Sequence, residues 1–103
     1  MEIAKISAQE AHTIIVQNNN FIFIDVRSEA EFVRGHARGF VNIPLDEIAS
    51  DMKRIHSAEC VYFMCHSGGR SFLATKLVVE RGINAVNIEG GFSAWKAAGL
   101  PVE

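Results

Sequence analysis

Apolar and polar positions alternate between two periods along this chain, and the changes of period mark out its elements. Ile3 to Ile6 is short enough for an edge strand. Ser7 followed by Glu10 has the spacing of a capping box, which starts a helix running to about Gln17, with Asn18 to Asn20 ending it. Phe21-Ile22-Phe23-Ile24 is an unbroken apolar run, the pattern of a strand covered on both faces. Ser28 and Glu31 repeat the capping box and predict a short helix to Arg34, stopped at Gly35. Phe40 to Ile43 reads as a strand closed by Pro44, and Leu45 to Ile55 as a helix. Cys60 to Met64 is the second strong apolar run and predicts a central strand. After Cys65-His66-Ser67-Gly68-Gly69, a helix is predicted from Arg70 to about Glu80, burying Phe72, Leu73, Leu77 and Val78. Ala85 to Ile88 is a last strand, and Ser93 to Ala98 a closing helix ended by Gly99 and Pro101.

Strands alternating with helices predict an α/β fold, a mostly parallel central sheet with helices on both faces. The 103 residues have room for one domain spanning 1–103. The 49% hydrophobic and 21% charged composition is that of an ordinary globular chain. A formal net charge of -2 offers no global field to recruit nucleic acid or an anionic membrane, so any anion chemistry must come from a local positive site. No apolar run approaches the roughly 20 residues that span a bilayer, and the first residues lack the pattern of a secretory signal, which favours the cytoplasm. Cys60 and Cys65 sit at an odd spacing on one strand, roughly 16 Å apart on opposite faces, and are expected to behave as independent thiols. Four histidines and two cysteines show no metal-ligand spacing.

The informative stretch joins a strand to a helix through Cys65-His66-Ser67-Gly68-Gly69-Arg70. A cysteine at the carboxyl end of a central parallel strand lies where open α/β sheets place their ligand sites. The glycines allow successive backbone N–H groups to turn toward one point, and the helix N-terminus adds its positive end. Such a cradle lowers a thiol pKa, and the thiolate is the nucleophile. His66 and Arg70 add positive charge, and Arg70 can grip an oxyanion with two nitrogens. A cysteine after an apolar strand is more often simply a small buried hydrophobe. The combination of cysteine, two glycines and arginine at this junction is what raises it to a candidate reaction site.

Four stretches in order resemble the single-domain rhodanese family, the thiosulfate sulfurtransferase-like proteins: Asp25-Val26-Arg27 with Glu31; Gly35-His36 through Asn42-Ile43-Pro44; Cys65 to Arg70; and Gly90-Gly91-Phe92 with Trp95, followed by Gly99 to Val102. The resemblance implies a ping-pong sulfurtransferase in which Cys65 takes a sulfane sulfur from thiosulfate or a persulfide such as glutathione persulfide. Cys65 then passes it to cyanide or a thiol, with no metal or organic cofactor. His66, Ser67, Gly68, Gly69 and Arg70 would bind the substrate, and Asp25 and Arg27 would support the neighbouring loops. A protein partner in a sulfur relay is compatible with the same loop; nucleic acid and membrane are not expected partners. The alternative is a silent binding or regulatory module of the same fold. Cysteine phosphatases and arsenate reductases of related fold carry one residue more between cysteine and arginine, a wider ring than Cys65 and Arg70 enclose. Relatives have a proline and small residues where this chain has Ala37-Arg38-Gly39-Phe40, which places Arg38 and Phe40 on the site's rim or the surface. Arg27 and Glu31 are spaced for a weak helical ion pair; His36, Phe92 and Trp95 are expected to be structural.

Overall fold

Five short parallel strands form the centre of the molecule in the order β1-β5-β4-β2-β3, in a computed structural model that describes residues 2–17 and 20–103. They are β1 (Lys5–Ile6), β2 (Phe21–Asp25), β3 (Val41–Asn42), β4 (Cys60–Met64) and β5 (Ala85–Ile88). The two apolar runs, β2 and β4, are neighbours, with Phe23 opposite Tyr62 and Asp25 opposite Met64. The chain leaves β2 toward β3 on one side and leaves β4 toward β5 on the other. Outside the carboxyl ends of these two strands, connections diverge and open a crevice, the place where such sheets bind ligands. Asp25 and Cys65 lie at those two ends.

Both faces of the sheet are covered, as two apolar runs without polar alternation require. On one face Ile24, Val26, Val61, Phe63 and Cys65 pack with Ala74 and Val78 of α4 (Gly69–Val79) and with Ile48 and Ile55. On the other, Phe23, Tyr62 and Met64 pack with Ala8 and Ala11 of α1 (Ala8–Ile15) and with Phe92 and Trp95 of α5 (Gly91–Ala97). Cys60 and Cys65 are free thiols on opposite faces, as their spacing predicts. Both capping boxes form: Ser7 with Glu10 opens α1, and Ser28 with Glu31 opens α2 (Glu29–Arg34). Of the asparagines expected to end α1, Asn18 and Asn19 lie outside the described residues.

Three expectations are corrected. The helix predicted over Leu45–Ile55 is two 3-10 turns, Leu45–Glu47 and Ala49–Asp51, followed by the short α3 (Met52–His56). Its start is pinned by the Leu45 N–H donating to Val26 O at 3.0 Å, and Ile48, between the two turns, and Ile55, in α3, are completely buried. The buried stripe of α4 is Ser71, Ala74, Thr75 and Val78, while Phe72 and Leu73 are exposed. These four are spaced i, i+3, i+4 and i+7, one helix face, and their small side chains let α4 approach the sheet closely. The hydroxyls of that face are satisfied: Thr75 Oγ1 donates to Ser71 O at 2.7 Å and Ser71 Oγ to Asn87 Oδ1 at 2.6 Å. Finally, Phe40 lies neither on a rim nor at the surface. It is buried edge-on against Trp95 and Phe23, with ring centroids 5.5 Å from each.

Candidate active site

At the end of β4 the chain turns through Cys65 to Gly68 into α4. Gly68 caps that helix at φ +115°, a left-handed conformation that residues with a Cβ rarely adopt. This geometry aims its N–H at the Cys65 sulfur over 3.0 Å. Ser71, on the first turn of α4, places its hydroxyl 3.5 Å from the same sulfur. Cys65 itself is 1% exposed. Burial opposes its ionisation, but hydrogen bonds from the Ser71 hydroxyl and from the N–H groups of Ser71, Gly68 and Ser67 outweigh it and hold the thiol below its ordinary pKa. Cys60, half-buried without such a cradle, is pushed up by burial. The two thiols therefore differ in character: their surroundings lower the pKa of Cys65 and raise that of Cys60.

From behind, the loop is fastened to α5. Phe92 N–H donates to Cys65 O at 2.8 Å and Ser93 N–H to His66 O at 3.0 Å. Gly91 makes that approach possible, because a Cβ there would stand 2.3 Å from Cys65 O. Beside the loop, Asp25 and Arg27 form a buried knot at the end of β2. Arg27 Nη2 donates to Asp25 Oδ2 at 2.8 Å and to Gly35 O at 2.8 Å, its Nε reaches both Asp25 oxygens at 3.0 Å, and its guanidinium lies 4.3 Å above the Phe92 ring. Asn42 Nδ2 ties the same turn by donating to the Asp25 and Arg27 carbonyls, each at 3.0 Å.

The structure thus brings Cys65, Ser67, Gly68 and Arg70 together with Asp25 and Arg27 at one end of the sheet. Gly69 opens α4, and His66 is exposed on the rim of a cavity beside the loop. Arg70 does not present a free fork. Its Nη1 and Nη2 donate to the two Glu31 oxygens at 2.7 and 3.0 Å. The Arg27–Glu31 pair suggested by spacing does not form, because each residue has a geometrically better partner. His36 is structural, with Nδ1 2.9 Å from Phe32 O and its ring stacked on Phe32. Arg38 is exposed on a separate cavity with His12 and Pro101. Sequence reasoning missed Ser71 and Asn87, the buried polar pair behind the sulfur; a serine and a threonine one turn apart on a predicted core helix were the available signal. Among the described residues no cluster of His, Cys, Asp and Glu could hold a metal, and no helix is long and apolar enough to cross a membrane.

Comparison with known proteins agrees with this architecture. The profile of the rhodanese-like domain matches residues 7–98. Thiosulfate sulfurtransferase 16, chloroplastic, of Arabidopsis thaliana is 32% identical over 97% of this chain and 92% of its own. The crystal structure of a rhodanese-related protein from Thermoplasma volcanium superposes with a TM-score of 0.87, at 28% identity over 97% of each chain. A Rhodopseudomonas palustris protein, described as of unknown function and a possible tyrosine phosphatase, superposes with a TM-score of 0.92 at 25% identity, over 98% of this chain and 85% of that one. With its parallel sheet, its cysteine loop at the switch of strand order and these likenesses, the chain belongs to the rhodanese-like domain family.

Proposed function

We propose that this protein is a sulfurtransferase that carries sulfane sulfur as a persulfide on Cys65, and that thiosulfate or a low-molecular-weight persulfide is the donor. The observation that supports this reading is the Cys65 sulfur facing the Gly68 N–H at 3.0 Å with the Ser71 hydroxyl behind it, contacts that favour its ionised form. With thiosulfate, the thiolate attacks the sulfane sulfur; the new S–S bond forms as the old one breaks, and sulfite leaves with the bonding pair. The persulfide anion left on Cys65 stays within reach of the same N–H groups, which disperse its charge. Cyanide or a thiol, including one on a partner protein in a sulfur relay, then attacks the outer sulfur and returns Cys65 to the thiolate. A cytoplasmic setting suits a free thiol nucleophile. The likeness to the Rhodopseudomonas palustris protein, described as a possible tyrosine phosphatase, is a likeness of fold. Phosphate transfer needs a free guanidinium and a proton donor for the leaving oxygen, whereas here Arg70 is engaged by Glu31 and the Asp25 carboxylate by Arg27.

The test is the intact mass of the purified protein before and after thiosulfate or glutathione persulfide, in parallel with Cys65→Ser. A gain of one sulfur atom, removed by cyanide and absent in the variant, is expected. No gain with either donor overturns the reading. Undiminished capture of a defined partner by Cys65→Ala would then favour a binding module.

A further inference from the structure

Beside the cysteine loop lies a cavity of about 360 Å³ whose charged lining is unbalanced. Arg27 and Glu31 border it, but each is matched elsewhere, Arg27 by Asp25 at 2.8 Å and Glu31 by Arg70 at 2.7 Å. That leaves Arg34 at the end of α2 and Lys96 in the last turn of α5, both exposed and, among the described residues, neither ion-paired. His66, the residue after the nucleophile, lines the same cavity. Phe92 supplies an apolar wall, with Lys96 Nζ 4.9 Å from its ring centroid. In a chain of net charge -2, two uncompensated cations on one cavity make a local anion site. The other cavity bordering the Arg70–Glu31 pair carries Glu29, Asp46 and Glu47 and would repel the same ligand.

Resting on the reading of Cys65 as the sulfur carrier, we propose that this cavity is a recognition subsite for the carboxylate arms of a low-molecular-weight thiol. The ligand arrives as its persulfide when it donates sulfur and as the free thiol when it accepts. Volume and charge select this class. A cavity of this size suits an organic ligand of several bonds' length and is far larger than a thiosulfate ion needs. Its two cations come from different helices and so can each meet a separate carboxylate. Phe92 offers contact to the ligand's carbon skeleton between them. In the donating direction the Cys65 thiolate attacks the outer sulfur of the persulfide. The bond between the two donor sulfurs breaks, the thiol's own sulfur leaves as a thiolate with the electron pair, and the outer sulfur with its proton remains on Cys65 without net oxidation.

Glutathione persulfide and its diethyl ester differ only in their carboxylates, so their kcat/KM ratio reads the subsite. The acid form is expected to be preferred by about tenfold, with the difference in KM, and the preference should fall toward unity in Arg34→Gln/Lys96→Gln. A ratio near unity in the parent protein, or one unmoved by the double variant, overturns the subsite. A second measurement needs no turnover. Cys65→Ser protein titrated with S-methylglutathione should show amide shifts at Arg34, His66, Phe92 and Lys96, weakened by salt and by the same two substitutions. Shifts mapping elsewhere, or none, overturn the subsite. Failure of Cys65 to take sulfur from any donor would instead remove the proposed activity, and the titration would still decide the binding site.

Discussion

Both terminal nitrogens of Arg70 close on the Glu31 carboxylate, at 2.7 and 3.0 Å, so the first turn of α4 is bolted to the first turn of α2. The same Glu31 Oε1 accepts the Ser28 N–H at 3.0 Å, which makes the capping box of α2 and the clamp on the cysteine loop one unit. Arg70 holds the Glu31 carboxyl down to about 2, against an ordinary 4.5. A depressed carboxylate contributes stability that is complete above its ordinary pKa and is lost as pH falls through its folded one. Glu31→Gln is therefore expected to cost about 1 kcal/mol near neutral pH, since the pair is partly solvated, and to cost progressively less toward about pH 2. Urea unfolding of both proteins across that range checks it; a difference independent of pH would show that the pair adds nothing.

With its fork engaged, Arg70 acts on the loop's shape. Arg70→Ala is expected to slow sulfur uptake from thiosulfate and from an uncharged persulfide by a similar factor, of about three- to tenfold, corresponding to roughly 1 kcal/mol. Parallel kinetics on the two donors decide this. A loss confined to thiosulfate would return to Arg70 the oxyanion-gripping role that its place in the sequence predicts.

The Ser71 hydroxyl has one hydrogen and three acceptors in reach: Asn87 Oδ1 at 2.6 Å, Gly68 O at 3.2 Å and Cys65 Sγ at 3.5 Å. Ser71→Ala should raise the Cys65 pKa toward its ordinary value and cost about 1–3 kcal/mol, because Asn87 Oδ1 is left buried without its donor. Thiolate absorbance against pH, in a Cys60→Ser background, reads the first effect and urea unfolding the second. An unmoved titration would assign the acid shift to the backbone N–H groups alone.

Gly91 and Gly99 both have positive φ, +55° and +70°, but only Gly91 faces crowding, from Cys65 O at 2.3 Å and His66 O at 2.8 Å. Gly99→Ala should cost about 1 kcal/mol of backbone strain. Gly91→Ala should cost more than about 3 kcal/mol, or displace the loop and slow sulfur uptake. Equal stabilities and rates for the two variants would contradict the close approach of α5.

On α4, Phe72→Ser and Leu73→Gln are expected to change stability by no more than about 0.5 kcal/mol, since both side chains already face solvent. Val78→Ala, at a fully buried position, should cost about 1–3 kcal/mol. Thermal unfolding of the three variants ranks them; a large loss from Phe72→Ser would reverse the assignment of the helix face.

What the sequence made legible was local. The two capping boxes, the apolar runs of β2 and β4 and the opposite faces of Cys60 and Cys65 each follow from spacing within a few residues, and each is present. The cysteine loop was legible for the same reason, since strand, glycines and helix start are contiguous. Pairings across the chain were not. Nothing near Arg70 announces that Glu31 will take its guanidinium, and Arg27 chooses Asp25 over the helically spaced Glu31 because the strand end brings four hydrogen bonds into reach. The face of α4 is not legible from hydrophobic size alone, which does not reveal fit: a helix pressed against a sheet prefers small residues, and Ser71 and Thr75 are admitted by their hydrogen bonds.

The N–H groups that hold the carbonyls of Cys65 and His66 belong to α5, which follows β4 and α4 in the chain. A growing chain that has completed β4 and α4 already contains Cys65 and its glycines, yet lacks the floor on which the loop is seated. On the proposed reading of Cys65, its loop takes the shape that serves sulfur transfer only once α5 has docked. Recovery of activity during refolding should accordingly follow the burial of Trp95, whose fluorescence marks the arrival of α5.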